Sequence, residues 1–144
     1  MKRLLRVALL LTLLTPFAAP AEQAMRFGDI DIHYGAMLTA ELQPEVARTY
    51  GIERSKSRGI ATLAVLRKDA AGVVRPIKAL LEVSAVTAVG AVTPLAIREI
   101  QENTVVYYIA TFGVADGETL TFKVQIILDG AEAQIFEFKK TFFP

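Results

Sequence analysis

The C-terminal third of this chain constrains its fold most. Leu120, Phe122, Val124, Ile126 and Leu128 alternate with Thr121, Lys123 and Gln125. Phe136, Phe138 and Phe142 keep one parity among Glu137, Lys139 and Thr141. A period of two places every second side chain on one face of an extended strand. Each run therefore has an apolar side to bury, and Asp129-Gly130 between them has the turn chemistry of a hairpin. Phe143 falls on the face opposite Phe142, at an edge or in solvent.

The same period recurs upstream. Ile30, Ile32 and Tyr34 share one face, with Asp29, Asp31 and His33 on the other. Met37–Leu42 reads as a continuation or a second short extended piece. Ile60–Lys68 is a strand closed by the turn Asp69-Ala70-Ala71-Gly72. The regions 73–86 and 89–100 are also extended. Pro76 and Pro94 lie inside them and lack the N–H a ladder needs, which places those stretches at edges or irregularities. Asn103 and Thr104 turn the chain into Val105–Phe112. That strand is apolar on both faces, so it should be central and covered. Asp116-Gly117 is a further turn. Tyr107 and Tyr108 face opposite ways, so at least one belongs to the core.

One segment breaks the pattern. Gln43-Pro44-Glu45-Val46-Ala47-Arg48-Thr49-Tyr50-Gly51 reads as a two-turn helix. Pro44 suits the first helical position, Glu45 the positive dipole end and Gly51 a left-handed stop. Val46 and Tyr50, four apart, are expected to pack down on the sheet.

About seven short strands, turn signals between them and one short helix predict an all-β fold, an immunoglobulin-like β-sandwich. The chain has neither Cys nor Trp, so the antibody-type markers are missing. A small β-barrel is the alternative. The two proline-bearing strands favour open edges, which a closed barrel lacks.

The first 21 residues read differently. Lys2, Arg3 and Arg6 precede an apolar run from Val7 to Leu14, and Pro16 and small residues follow. This is the layout of a secretory signal peptide. Ala19 and Ala21 stand in the A-x-A relation, so cleavage is expected after Ala21. A cut after Ala19 would place Pro20 beyond the scissile bond. The run is too short for a membrane anchor, which needs ~20 apolar residues. We expect a signal peptide at 1–21, a single domain at 22–144 and a periplasmic location, with no transmembrane segment after processing.

Processing removes three of the 16 basic residues and none of the 15 acidic ones, leaving a net charge of −2. Such a domain gives no reason to expect a nucleic-acid partner. It is large enough to bury a core without disulfides.

Few residues suggest chemistry. Arg54, Lys56 and Arg58 put three cations in five residues, with Ser55 and Ser57 between them. If extended, they share a face suited to phosphate or carboxylate. Arg54, Ser55, Lys56, Ser57 and Arg58 form the candidate binding surface, set against a solvated loop whose cations pair with local acids such as Glu53 or Glu99. Asp29, Asp31 and His33 form Asp-x-Asp-x-His on one strand face, an incomplete metal set, and no metal or cofactor is expected. With one His, no Cys and no Gly-x-Ser-x-Gly elbow, no nucleophile–base pair assembles, and we expect no enzyme.

Phe27-Gly28-Asp29, His33-Tyr34, Pro44-Glu45-Val46-Ala47 and the specific stretch Tyr50-Gly51-Ile52 with Arg54-Ser55-Lys56-Ser57-Arg58-Gly59 resemble a family of small exported gammaproteobacterial proteins, domain of unknown function 4426 (DUF4426). Tyr107-Tyr108-Ile109-Ala110, Glu118-Thr119-Leu120 and the Phe-rich end add to the resemblance. It implies a periplasmic, single-domain, all-β protein and no assigned activity. The expected role is a non-catalytic binding or interaction module, whose partner is an anionic envelope ligand or another periplasmic protein. The alternative is an envelope assembly or chaperone-like factor that pairs a strand edge near Pro76 or Pro94 with a client. A hydrolase of unrecognised type is the third reading.

Overall fold

The computed structural model describes residues 23–143. The expected signal peptide, its cleavage site and Glu22 lie outside the described residues. The elements are β1 (Gln23–Phe27), β2 (Ile30–Leu38), a 3-10 turn (Thr39–Glu41), α1 (Pro44–Thr49), β3 (Arg58–Lys68), β4 (Val74–Pro76), β5 (Leu80–Val86), β6 (Val92–Pro94), β7 (Arg98–Glu102), β8 (Val105–Gly113), β9 (Thr119–Ile127) and β10 (Gln134–Thr141).

They form two antiparallel sheets. The first runs β1-β2-β3-β8-β7, with β4 paired to the end of β3 that β8 leaves open, and the second runs β10-β9-β5-β6. Among the described residues no ladder joins the sheets, so the fold is a sandwich and not a barrel. The order β2-β3-β8-β7 against β10-β9-β5 is the immunoglobulin arrangement A-B-E-D against G-F-C, with β6 added beside C.

Among the described residues ten strands stand where the alternation suggested about seven, because three apparent segments each divide. A two-residue turn at Gly28-Asp29, with Gly28 at φ 60°, folds β1 back on β2. The regions 73–86 and 89–100 each begin in one sheet and end in the other. Their division follows the prolines: Pro76 ends β4 and Pro94 ends β6. Both prolines sit on edge strands, where the missing N–H breaks no ladder.

The core lies between the sheets. Phe122 stacks on Phe138 at 4.9 Å, packs on Phe112 at 5.1 Å, and meets Phe142 edge-on at 6.4 Å. Tyr34 of β2 reaches across to Phe138 at 4.6 Å and Phe136 at 5.0 Å. Each aromatic side chain so buried contributes roughly 1.5–3 kcal/mol by the transfer of apolar surface from water. Gly59 makes this arrangement possible. A Cβ there would lie 2.3 Å from Cε2 of Phe112.

A second, smaller buried patch lies on the outer face of the first sheet. Ile60 and Ile109 have the outward parity of β3 and β8, yet both are buried, together with Ala47 of α1. Val46 was expected to face the sheet with Tyr50. It is exposed instead, and Ala47 is the buried helical residue. Two apolar positions in so short a helix do not define a face, and tethers at its C-terminal end set the orientation. Tyr50 Oη donates to Glu102 Oε1 of β7 at 2.7 Å, Arg98 of β7 donates to the Tyr50 carbonyl, and Ile52 N–H donates to the Ala47 carbonyl at 2.8 Å.

Candidate functional site

The cationic loop follows α1 and leads into β3. Thr39, fully buried, anchors it: its hydroxyl accepts Ser55 N–H at 2.9 Å and donates to the Ser55 carbonyl at 3.2 Å. Ala40 N–H also donates to the Ser55 carbonyl at 3.2 Å, and Val114 N–H donates to the Ser57 carbonyl at 3.0 Å. Ser57 N–H donates to Ser55 Oγ at 3.1 Å, tightening the turn at Lys56-Ser57.

This bracing separates the three cations. Arg54 is spent on the loop itself, donating to the Ala40 carbonyl at 2.7 Å. Lys56 sits at the tip of the turn, exposed, with no ion-pair partner among the described residues. Arg58 lies in β3 and pairs loosely with Glu53 at 3.7 Å. The loop is not extended, so the three do not share one strand face.

Arg58 does border a hollow. About 420 Å³ of space lies between the stretch Gly51–Glu53, which follows α1, and the first sheet, lined by Gly51, Ile52, Glu53, Arg58, Arg98 and Ile109 among others. Two arginines and one glutamate are among its lining residues. Among the described residues Arg98 commits one N–H to the Tyr50 carbonyl. An arginine has five such donors, so most remain available. The Arg58–Glu53 pair is long and exposed on both sides, a geometry worth about 0–1 kcal/mol. A carboxylate or phosphate could displace it at little cost. Glu102 holds the Tyr50 hydroxyl above its usual range through their hydrogen bond, so Tyr50 stays a neutral donor and the tether persists.

Arg98 and Thr39 carry no motif, and sequence reasoning passed over both. Each acts on a residue far away in sequence, so only the sheet order reveals them.

The Asp-x-Asp-x-His face holds no metal cluster among the described residues. Asp31 pairs with Arg26 at 2.6 Å, and that hydrogen bond holds its carboxyl below the usual range. Asp29 pairs with Arg67 at 3.4 Å. Both carboxylates therefore meet cations across neighbouring strands. Tyr108 is the core tyrosine and Tyr107 the exposed one, and Phe143 is also exposed. Among the described residues no helix is long and apolar enough to cross a membrane.

The comparison with curated proteins finds no match. A crystal structure of a DUF4426 family protein from Pseudomonas aeruginosa PAO1 is similar, with 36% identity over 85% of this chain and 95% of that one and a TM-score of 0.72. The model of the DUF4426 family, a domain of unknown function, matches residues 24–144. That span takes in the two sheets, the α1 strap and the braced loop, and the chain belongs to the DUF4426 family.

Proposed function

We propose that this protein is exported, loses residues 1–21, and serves in the periplasm as a non-catalytic binding module. It takes an anionic group, a carboxylate or a phosphate, into the hollow between Gly51–Glu53 and the first sheet. Arg58 and Arg98 bind that group, and Glu53 yields to it. One observation carries the reading: two arginines whose donors are mostly uncommitted face a single hollow beside the one loop rich in cations. Arg forks suit such anions because they can bind both oxygens at once. The hollow's volume falls within the range of small-molecule sites, about 300–1,000 Å³. Within the candidate surface, Arg58 makes the contact, Lys56 adds long-range attraction, and Arg54, Ser55 and Ser57 hold the loop in shape.

Heat unfolding tests this with phosphate, citrate and glycerol phosphate as probes and maltose as the neutral control. A ligand that binds only the native state raises the midpoint. We expect at least one anion to do so in the native chain and in neither Arg58→Gln nor Arg98→Gln. Equal shifts in the variants, or no shift with any anion, would contradict the reading.

A further inference from the structure

Arg58 and Glu53 stand at an unusual spacing on the rim of the hollow. Arg58 Nη1 lies 3.7 Å from Glu53 Oε2. That is close enough for the charges to attract and too far for a hydrogen bond, which needs about 2.7–3.2 Å. Neither backbone position is free to move away. Arg58 is fixed by the β3–β8 ladder, opposite Gly113. Glu53 lies between two anchored neighbours. Ile52 N–H donates to the Ala47 carbonyl at 2.8 Å, and the Arg54 guanidinium donates to the Ala40 carbonyl at 2.7 Å. The fold therefore keeps a cation and an anion side by side, and both residues line the hollow.

The rest of the lining divides into a cationic and an aliphatic part. The Arg98 guanidinium donates to the Tyr50 carbonyl, whose peptide unit leads into Gly51, another lining residue. The charged head of Arg98 therefore sits at the wall. Ile109 is buried with the outward parity of β8, and Ile52 is half-buried. With Ala96 they give the hollow an apolar side. Among the described residues that line it, Glu53 is the sole acid and none is aromatic. Such a wall suits a branched aliphatic group and gives a flat ring nothing to stack on.

This charge pattern distinguishes between ligands. A simple carboxylate or phosphate on Arg58 is placed beside the Glu53 carboxylate, and like charges at that range repel. An α-amino acid carries its ammonium and its carboxylate on one carbon, so each charge meets its opposite. One loose ion pair is exchanged for two charge-assisted, hydrogen-bonded ones. A peptide of two or more residues does not match, because at least one further peptide unit separates its terminal charges.

We propose, building on the carboxylate site described above, that the ligand of this hollow is a free α-amino acid with an aliphatic side chain. Its carboxylate takes donors from Arg58 and Arg98. Glu53, drawn off Arg58, accepts from its ammonium. Its side chain lies against Ile52 and Ile109.

Calorimetric titration of the chain from Glu22 to Pro144 tests this, with each enantiomer of leucine as the probe. The comparisons are isocaproate, which lacks the ammonium, leucinamide, which lacks the carboxylate, and inorganic phosphate. We expect one enantiomer of leucine to bind about tenfold more tightly than isocaproate, and leucinamide not to bind. Glu53→Gln should remove that advantage, weakening leucine while isocaproate binds as tightly or more so. Arg58→Gln should weaken both. A purely structural Glu53 would weaken both ligands alike when replaced, and that result would overturn the proposal. Equal affinity for leucine and isocaproate, or binding of isocaproate or phosphate without leucine, would overturn the amino-acid assignment and leave the anion site standing. Leucinamide binding as tightly as leucine, or no binding of any of these compounds, would overturn both.

Discussion

Tyr108 Oη accepts the backbone N–H of Ala79 at 2.9 Å. Tyr108 belongs to the first sheet, and Ala79 lies just before β5, where the chain crosses to the second. The bond ties the crossover to the core. Tyr108→Phe leaves that N–H without a partner, and we expect a loss of about 1–2 kcal/mol, within the usual cost of an unmade buried bond. Burial also pushes the Tyr108 hydroxyl above its usual range. A raised folded value means the neutral form is favoured in the fold. Its contribution is present in full below the unfolded value of ~10 and is lost as pH rises through the folded value. Urea melts across alkaline pH should show a fall in native stability that is smaller in Tyr108→Phe.

Two glycines should respond in opposite ways. Gly59→Ala drives a Cβ into the Phe112 ring, which is wedged between Phe122 and Phe142. Overpacking of this kind costs about 1–3 kcal/mol or more. Gly35→Ala meets only Thr62 Oγ1, at 3.9 Å. We expect it to leave stability unchanged or slightly raised, because glycine is a poor strand residue. Denaturant midpoints distinguish the two. Equal losses would mean that Phe112 does not lie across β3.

Emptying the aromatic core tests the face assignment. Phe122→Ala and Phe138→Ala should each cost ~3–5 kcal/mol, as large-to-small changes at buried aromatic sites do. Phe143→Ala, at an exposed position, should change stability by less than about 0.5 kcal/mol. Chemical denaturation of the three variants checks the ordering.

The proposed export makes a separate demand. Periplasmic material should begin at Glu22, or at a cyclised or trimmed form of it, by intact-mass spectrometry. A chain that retains Met1 would overturn the compartment assignment.

The sandwich was legible because β2, β3, β5, β8, β9 and β10 each bury one face, so hydrophobic period and strand register coincide there. Leu120–Leu128 and Phe136–Phe142 show this directly. Pro76 and Pro94 were legible as edges because a missing donor has one meaning in a sheet. The division of the two proline-bearing regions was not, since a crossover between sheets leaves the alternation nearly intact. The face of α1 was misread because bonds from Arg98 and Glu102 on a distant strand orient the helix. The Arg54–Arg58 loop stood out by composition. Its division into a structural Arg54, an outlying Lys56 and a hollow-facing Arg58 depends on Ala40 and Thr39, which local pattern does not connect to it. Arg98 enters the same hollow only through the β7–β8 ladder.

The anion site is tested most directly by mapping where an anion sits. In an amide NMR titration with the anion that most raises the unfolding midpoint, shifts should concentrate at Glu53, Arg58 and Arg98. They should vanish in Arg58→Gln/Arg98→Gln while the rest of the spectrum stays native. Shifts spread over the lysines of β10, or shifts that persist in the double variant, would contradict the assignment of this hollow as the binding site.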